Sequence, residues 1–185
     1  MSNELGQHNA SVVNRDYFEN SYAFFMDSVV SSESFSSSIN AKTSKQEAEF
    51  ISDKIKMLIK GESNLDSVGV ICPYRVQAGM VNSILQQRFG TEKASKILVD
   101  TVERFQGQEK EAIFLSFGSS LGTSEDIKFL ANLKRLNVSI TRAKSRFFCL
   151  YDKSLIKNSN SESGEDLIEF LKWTNGEKVK IRRAA

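Results

Sequence analysis

The sequence has 185 residues, with 25 Lys+Arg against 23 Asp+Glu, a formal net charge of +2, one Pro, two Cys and 40% hydrophobic residues. This is the make-up of an ordinary soluble globular domain, and the length suits one substantial core rather than two. Membrane-spanning, collagen-like and disulfide-framework classes are excluded, because no apolar run is long enough to cross a bilayer and both cysteines fall in apolar, strand-like runs.

The amino terminus has neither a basic start nor an apolar secretion segment, so the expected compartment is cytoplasmic. His8 is the only histidine, which leaves a metal site short of ligands. Charge is uneven along the chain. Glu4, Asp16, Glu19, Asp27 and Glu33 face only Arg15 at the start, whereas Lys128, Lys134, Arg135, Arg142, Lys144 and Arg146 form a stretch without an acid. The second stretch can face phosphates, although a solvated helix face is the usual explanation of a charge run.

Residues 1–43 read as an amino-terminal extension. Tyr17, Phe18, Tyr22, Phe24 and Phe25 form an aromatic patch, and the serine-rich segment 28–40 reads as a loop. Ser44-Lys45-Gln46-Glu47 is a capping box: the Ser hydroxyl can satisfy a first-turn amide, and the Glu can reach back. Ala48, Ile51, Ile55, Leu58 and Ile59 then share a helical face, with Gly61 as the stop.

Val68–Cys72 reads as a strand covered on both faces and ended by Pro73. A helix over 76–89 follows, with Val76, Met80, Val81, Ile84 and Leu85 directed inward. Ile97–Val99 and Ala112–Phe117 read as further strands, 128–135 and 136–144 as helical segments, Arg146–Tyr151 as a strand and 166–173 as the last helix. Buried strands alternating with helices imply a parallel sheet flanked on both faces, an α/β class with three layers, α/β/α. Ligands in such sheets collect at the carboxyl ends of strands, which points to Pro73-Tyr74-Arg75, to Asp100-Thr101 and to the loop after Phe117.

Three stretches carry chemistry. In the first, 99–117, a strand runs into a polar turn with Thr101, Gln106, Gly107 and Glu109 and then into another strand. Gly107 permits close backbone approach to a ligand, and the carboxylate of Glu109 can accept hydrogen bonds from a sugar; a plain turn with a solubilising Glu fits the spacing too. In the second, 132–144, a helix would place Leu133, Leu136 and Ile140 on one face and Arg135, Ser139 and Arg142 on another. An Arg on a rigid element suits a transferring phosphoryl group, and a surface ion pair is the alternative for Arg142. In the third, 71–77, Arg75 and Gln77 lie at a strand-to-helix junction that favours phosphate, while Tyr74 can equally be core packing.

ICPYRVQ, VDTVERFQGQEKEAIFLSF and LNVSITRAK, in this order, resemble the last motifs of superfamily 1 helicases of the Upf/Dna-two-like branch. The match covers 44–151. It implies that 44–157 is the second RecA-like domain, a P-loop NTPase fold lacking its phosphate loop, followed by a helix and basic tail over 158–185. The resemblance implies an arginine finger at Arg142, a γ-phosphate neighbourhood at Gln106 and Gly107, and a ribose contact at Glu109. It implies single-stranded DNA or RNA contacts at Thr101, Arg75 and Gln77, with Pro73 and Tyr74 in the same motif. Lys134, Ser139 and Glu111 stand where Arg, Ala and Asp are usual in the family; these departures preserve charge or size.

The sequence contains no Gly-x-x-x-x-Gly-Lys-Ser/Thr loop and no acidic Mg²⁺ motif after a strand. ATP and Mg²⁺ are therefore expected to be held mainly by an amino-terminal RecA-like domain of the same protein. This chain is expected to be the carboxy-terminal half of a monomeric motor, inactive alone and with no membrane partner. A non-catalytic nucleic-acid- or partner-binding module on the same fold is the alternative. A dinucleotide enzyme is disfavoured, since no G-x-G-x-x-G follows a strand.

Overall fold

The computed structural model describes residues 25–27, 42–59, 64–118, 124–151 and 164–174. Five strands form one sheet: β1 (Phe25–Asp27), β2 (Val68–Ile71), β3 (Leu98–Asp100), β4 (Lys110–Ser116) and β5 (Ala143–Tyr151). Their order is β1-β5-β4-β2-β3, and every pairing is parallel. Helices α1 (Lys45–Leu58), α2 (Arg75–Phe89) and the short α3 (Thr91–Ala94) precede β3, whereas α4 (Ser124–Leu130), α5 (Leu133–Thr141) and α6 (Glu165–Thr174) come after β4.

Alternation along the strands separates two cores. Ala112, Phe114, Phe148 and Leu150 pack with Ile51, Ile55, Val81 and Leu85 of α1 and α2. Ile113, Leu115, Phe147 and Cys149 pack on the opposite face with Leu136 and Ile140 of α5 and Leu167, Phe170 and Leu171 of α6. A sheet buried on both faces needs apolar residues at successive positions, which is why β4 and β5 read as continuous hydrophobic runs. Phe114 and Phe148, partners in register, stack with centroids 4.5 Å apart. The three-layer α/β/α arrangement read from the sequence is the observed one.

Several details depart from the periodicity. Val76 is 56% exposed, and α2 buries Gln77, Ala78, Val81 and Leu85 instead. Helix α2 starts one residue earlier than the pattern indicated, and Val76 lies outside its buried face. In α5, Leu133 is 42% exposed while Ser139 is buried, its hydroxyl donating to the Arg135 carbonyl at 2.8 Å. A serine that returns its proton to the previous turn can be buried without an unpaired donor. The break between α4 and α5 falls at Asn132, whose side chain accepts from the Arg135 N–H at 3.2 Å as an N-cap.

Strand β1 lies within the stretch read as an extension, where it pairs with β5. Gly61, Tyr17, Phe18, Tyr22, Phe24 and the serine-rich segment lie outside the described residues.

The capping box is half realised. The Ser44 hydroxyl accepts from the Glu47 N–H at 3.2 Å, but the Glu47 carboxylate is occupied elsewhere, accepting from Ser116 Oγ at 2.6 Å and the Gly118 N–H at 3.0 Å. The Ser44 N–H goes instead to Gln77 Oε1 at 2.7 Å. These bonds tie the amino end of α1 to the carboxyl end of β4. Both cysteines are free and buried, and burial, followed by the nearby Glu47 and Asp100 charges, pushes the Cys72 thiol up.

Candidate nucleotide edge and nucleic-acid groove

The two groups of predicted site residues occupy opposite edges of the sheet. The 101–109 connection joins parallel β3 to β4 without a full helix, and so must carry the chain from the carboxyl edge back to the amino edge within nine residues. A single 3₁₀ turn, Val102–Phe105, does this by lying against the core of the α5 face. Nine residues reach at most about 30 Å, which is ample for a strand of β4's length, about 23 Å. The path needs Gly69: a Cβ there would stand 2.7 Å from Phe105 Cε1 and 2.9 Å from Ile113 Cδ1. Phe105 is fully buried in that gap.

Gln106, Gly107 and Glu109 therefore sit at the amino edge and not at the carboxyl ends where ligands were first sought. All three are exposed. Gly107 adopts φ +77°, with open space where a Cβ would lie, so conformation rather than crowding selects glycine. Arg142 is the C-cap of α5, immediately before β5, and its carbonyl accepts from the Lys110 N–H at 2.9 Å. That bond joins the Gln106–Glu109 turn to Arg142 along one edge. The half-buried guanidinium folds back on its own helix, Nε donating to the Val138 carbonyl at 3.3 Å and Nη2 to Thr141 Oγ1 at 3.2 Å. The last carbonyls of a helix have no intrahelical donor, so a cation rests there readily.

At the carboxyl edge, Pro73, Arg75 and Thr101 line one open groove of about 380 Å³, together with Glu103, Arg104, Phe129 and Arg135. Arg75 is exposed at the first position of α2. Thr101 is nearly buried, its N–H donating to Asp100 Oδ1 at 2.8 Å. Its hydroxyl lies near the Glu103 carboxylate and favours its charged form. Glu103 is held below the usual carboxylate range first by its own backbone N–H, with burial opposing, and then by Thr101 and Arg135.

Tyr74 is packed against its neighbours. Its ring stacks on Phe129 at 5.4 Å and carries Lys42 Nζ 4.7 Å from its centroid, while Arg135 Cζ lies 4.2 Å over Phe129. The result is a column of cation, two rings and cation. The Tyr74 hydroxyl donates to Asp126 at 3.2 Å, and Asp126 also pairs with Lys42. Burial first, then Asp126, raises the phenol well above its ordinary value.

Gln77 stands apart. It is 0% exposed, and its amide nitrogen donates to the Ser44 carbonyl at 3.1 Å and Ser116 Oγ at 2.9 Å. Glu103, Arg104, Phe129 and Arg135 were not singled out as site residues from the sequence. The first two lay inside a motif already noted and Arg135 inside the basic stretch, but nothing local showed that Phe129 would face them across the chain.

Among the described residues, no helix is long and apolar enough to cross a membrane, and no group of three or more His, Cys, Asp or Glu could hold a metal ion.

The sequence profile of the AAA domain family matches residues 2–154. The chain is similar to probable helicase senataxin of Mus musculus, 33% identical over 62% of this chain and 4% of that protein. It is similar also to the DNA polymerase alpha-associated DNA helicase A of Schizosaccharomyces pombe, 31% identical over 71% of this chain and 19% of the relative. An uncharacterized ATP-dependent helicase of Methanocaldococcus jannaschii is 33% identical over 69% of this chain and 17% of its own length. The chain thus spans less than a fifth of the length of these relatives. The family match over most of the chain and these helicase relatives agree with the motif order, and the chain belongs to the AAA domain family, among superfamily 1 helicases of the Upf/Dna-two-like branch.

Proposed function

We propose that the chain is the second RecA-like motor domain of an ATP-dependent DNA or RNA helicase. The observation that carries this reading is the division of labour between the two sheet edges. A glycine turn and an arginine share one edge, joined through the Lys110–Arg142 backbone bond, and an arginine-lined groove occupies the other.

At the amino edge, the exposed Gly107 turn, the Glu109 carboxylate and the Arg142 guanidinium form a donor and acceptor set that fits a nucleotide. Glu109 accepts from ribose hydroxyls, Gln106 and Gly107 approach the γ-phosphate, and Arg142 leaves the Val138 carbonyl to neutralise charge developing there. ATP supplies the free energy of the cycle, and it is held with Mg²⁺ mainly by an amino-terminal RecA-like domain of the same protein. At the carboxyl edge, Arg75 and Thr101 contact phosphates of a single strand, Pro73 lines the groove, Tyr74 backs its wall through Phe129, and buried Gln77 holds α1 to the sheet through Ser44 and Ser116. The domain works as a monomer, and closure of the interdomain cleft moves the groove along the strand.

Alone the chain is expected to hydrolyse no ATP. Combined with a phosphate-loop-bearing first domain of the family, it should support nucleic-acid-stimulated hydrolysis, measured by phosphate release. Arg142→Ala should lower turnover by roughly 10³-fold or more, as removal of an arginine finger does. Near-normal turnover in that variant would remove Arg142 from the reaction.

A further inference from the structure

The groove at the carboxyl edge already holds an anion belonging to the chain. Glu103 Oε1 accepts from Arg135 Nε at 2.9 Å, and Thr101 lines the groove beside the same carboxylate. The Glu103 side chain is 55% exposed, so nothing encloses the pair. Arg135 is nonetheless well oriented, because its guanidinium lies over the Phe129 ring as well as against Glu103. Arg75 and Arg104 line the same groove. A carboxylate held by a guanidinium offers two anionic oxygens much as a phosphodiester offers its two unesterified oxygens.

We propose that Glu103 occupies the seat of a backbone phosphate in this groove, and that Thr101 and Arg135 become ligands of that phosphate when a single strand enters and Glu103 turns out to solvent. The proposal rests on the reading of the groove as a strand site and adds to it Arg135 as a ligand and Glu103 as a displaceable occupant. Displacement is cheap, since an exposed ion pair contributes little and is weakened further by salt. In the empty groove the carboxylate partly neutralises Arg135 and repels stray anions. Only a ligand that engages Arg75 and Arg104 at the same time recovers the cost of moving it.

A merely structural Glu103 and a displaceable one predict opposite signs. If the carboxylate only braces Arg135 and Thr101, its loss loosens the groove and weakens binding; if it occupies the phosphate seat, its loss strengthens binding. The test uses the 185-residue chain and fluorescein-labelled oligo-dT and oligo-U of about 15 nucleotides, titrated by fluorescence anisotropy at several salt concentrations. Glu103→Gln should tighten binding by about three- to tenfold at low salt. Arg135→Ala should weaken binding and make the slope of log affinity against log salt shallower by about 0.7. Arg75→Ala serves as the reference for the groove itself. Far-UV circular dichroism checks that each variant is folded, and Glu103→Ser, which also removes the charge, is measured beside the Gln variant. Unchanged or weaker binding by both Glu103 variants, with Arg75→Ala still weakening it, would overturn the proposal and leave the groove standing. No effect from either Arg75→Ala or Arg135→Ala would remove the groove as a strand site, and the proposal with it.

Discussion

Replacing Gln77 by Ala tests whether a motif residue acts by touching a ligand or by holding the fold. The amide is buried and makes three hydrogen bonds, to the Ser44 N–H, the Ser44 carbonyl and Ser116 Oγ. Two of these partners survive its removal: the Ser44 carbonyl keeps the Ala48 N–H at 3.2 Å, and Ser116 Oγ keeps Glu47 at 2.6 Å. The Ser44 N–H loses its Gln77 acceptor, and an orphaned buried donor costs about 1–3 kcal/mol. The unfilled volume adds about 1 kcal/mol.

The expected loss is therefore about 2–4 kcal/mol, read as a lower urea midpoint at unchanged m by far-UV circular dichroism. Gln77→Glu keeps the size but turns an acceptor oxygen toward Ser44 O and brings a second carboxylate near Glu47, so it should destabilise at least as much. Loss of less than about 0.5 kcal/mol in both variants would refute the view that this amide anchors α1 to the sheet. The oligonucleotide affinity of the folded Ala variant should remain within about twofold of the parent, because the amide does not reach the surface. A loss of about tenfold at intact fold would return Gln77 to the direct contacts.

Gly69→Ala should cost about 1–3 kcal/mol through overpacking against the fully buried Phe105 ring. Because Val102–Phe105 follows Thr101 directly, the same change should weaken single-strand binding; a midpoint within error of the parent would show that the gap can relax. Tyr74→Phe tests the raised phenol. Its neutral form is favoured in the fold, so that contribution is fully present below about pH 10 and is lost as pH rises beyond it. The parent should lose stability between about pH 10 and 11 more steeply than the Phe variant, and parallel pH profiles would contradict the assignment to Tyr74.

Much of this protein is legible in the order of its residues. Continuous apolar runs in β2, β4 and β5 announce strands buried on both faces, and apolar positions at helical spacing announce α1 and α2. Residue type alone misplaces several positions. Ser139 and Gln77 looked like surface positions, yet both are buried because partners distant from the local pattern, or one helical turn back, satisfy their hydrogen bonds. Val76 and Leu133 read as core positions, yet they sit at the first turns of their helices and are exposed.

The candidate site divides along the same line. The order of three motifs resembles superfamily 1 helicases, and that resemblance implies Arg142, Gln106, Gly107, Glu109, Arg75 and Thr101; residue types and spacing alone leave a plain turn and a surface ion pair open. That Thr101 and Gln106, five positions apart, belong to opposite edges of the sheet was decided only by the tertiary structure. A compact 3₁₀ turn can cross the sheet face there because Gly69 leaves room for Phe105. The Glu103–Arg135 pair and the Tyr74–Phe129 column likewise join segments far apart in the chain. Such contacts follow from how the layers pack, and no periodicity within one segment encodes them.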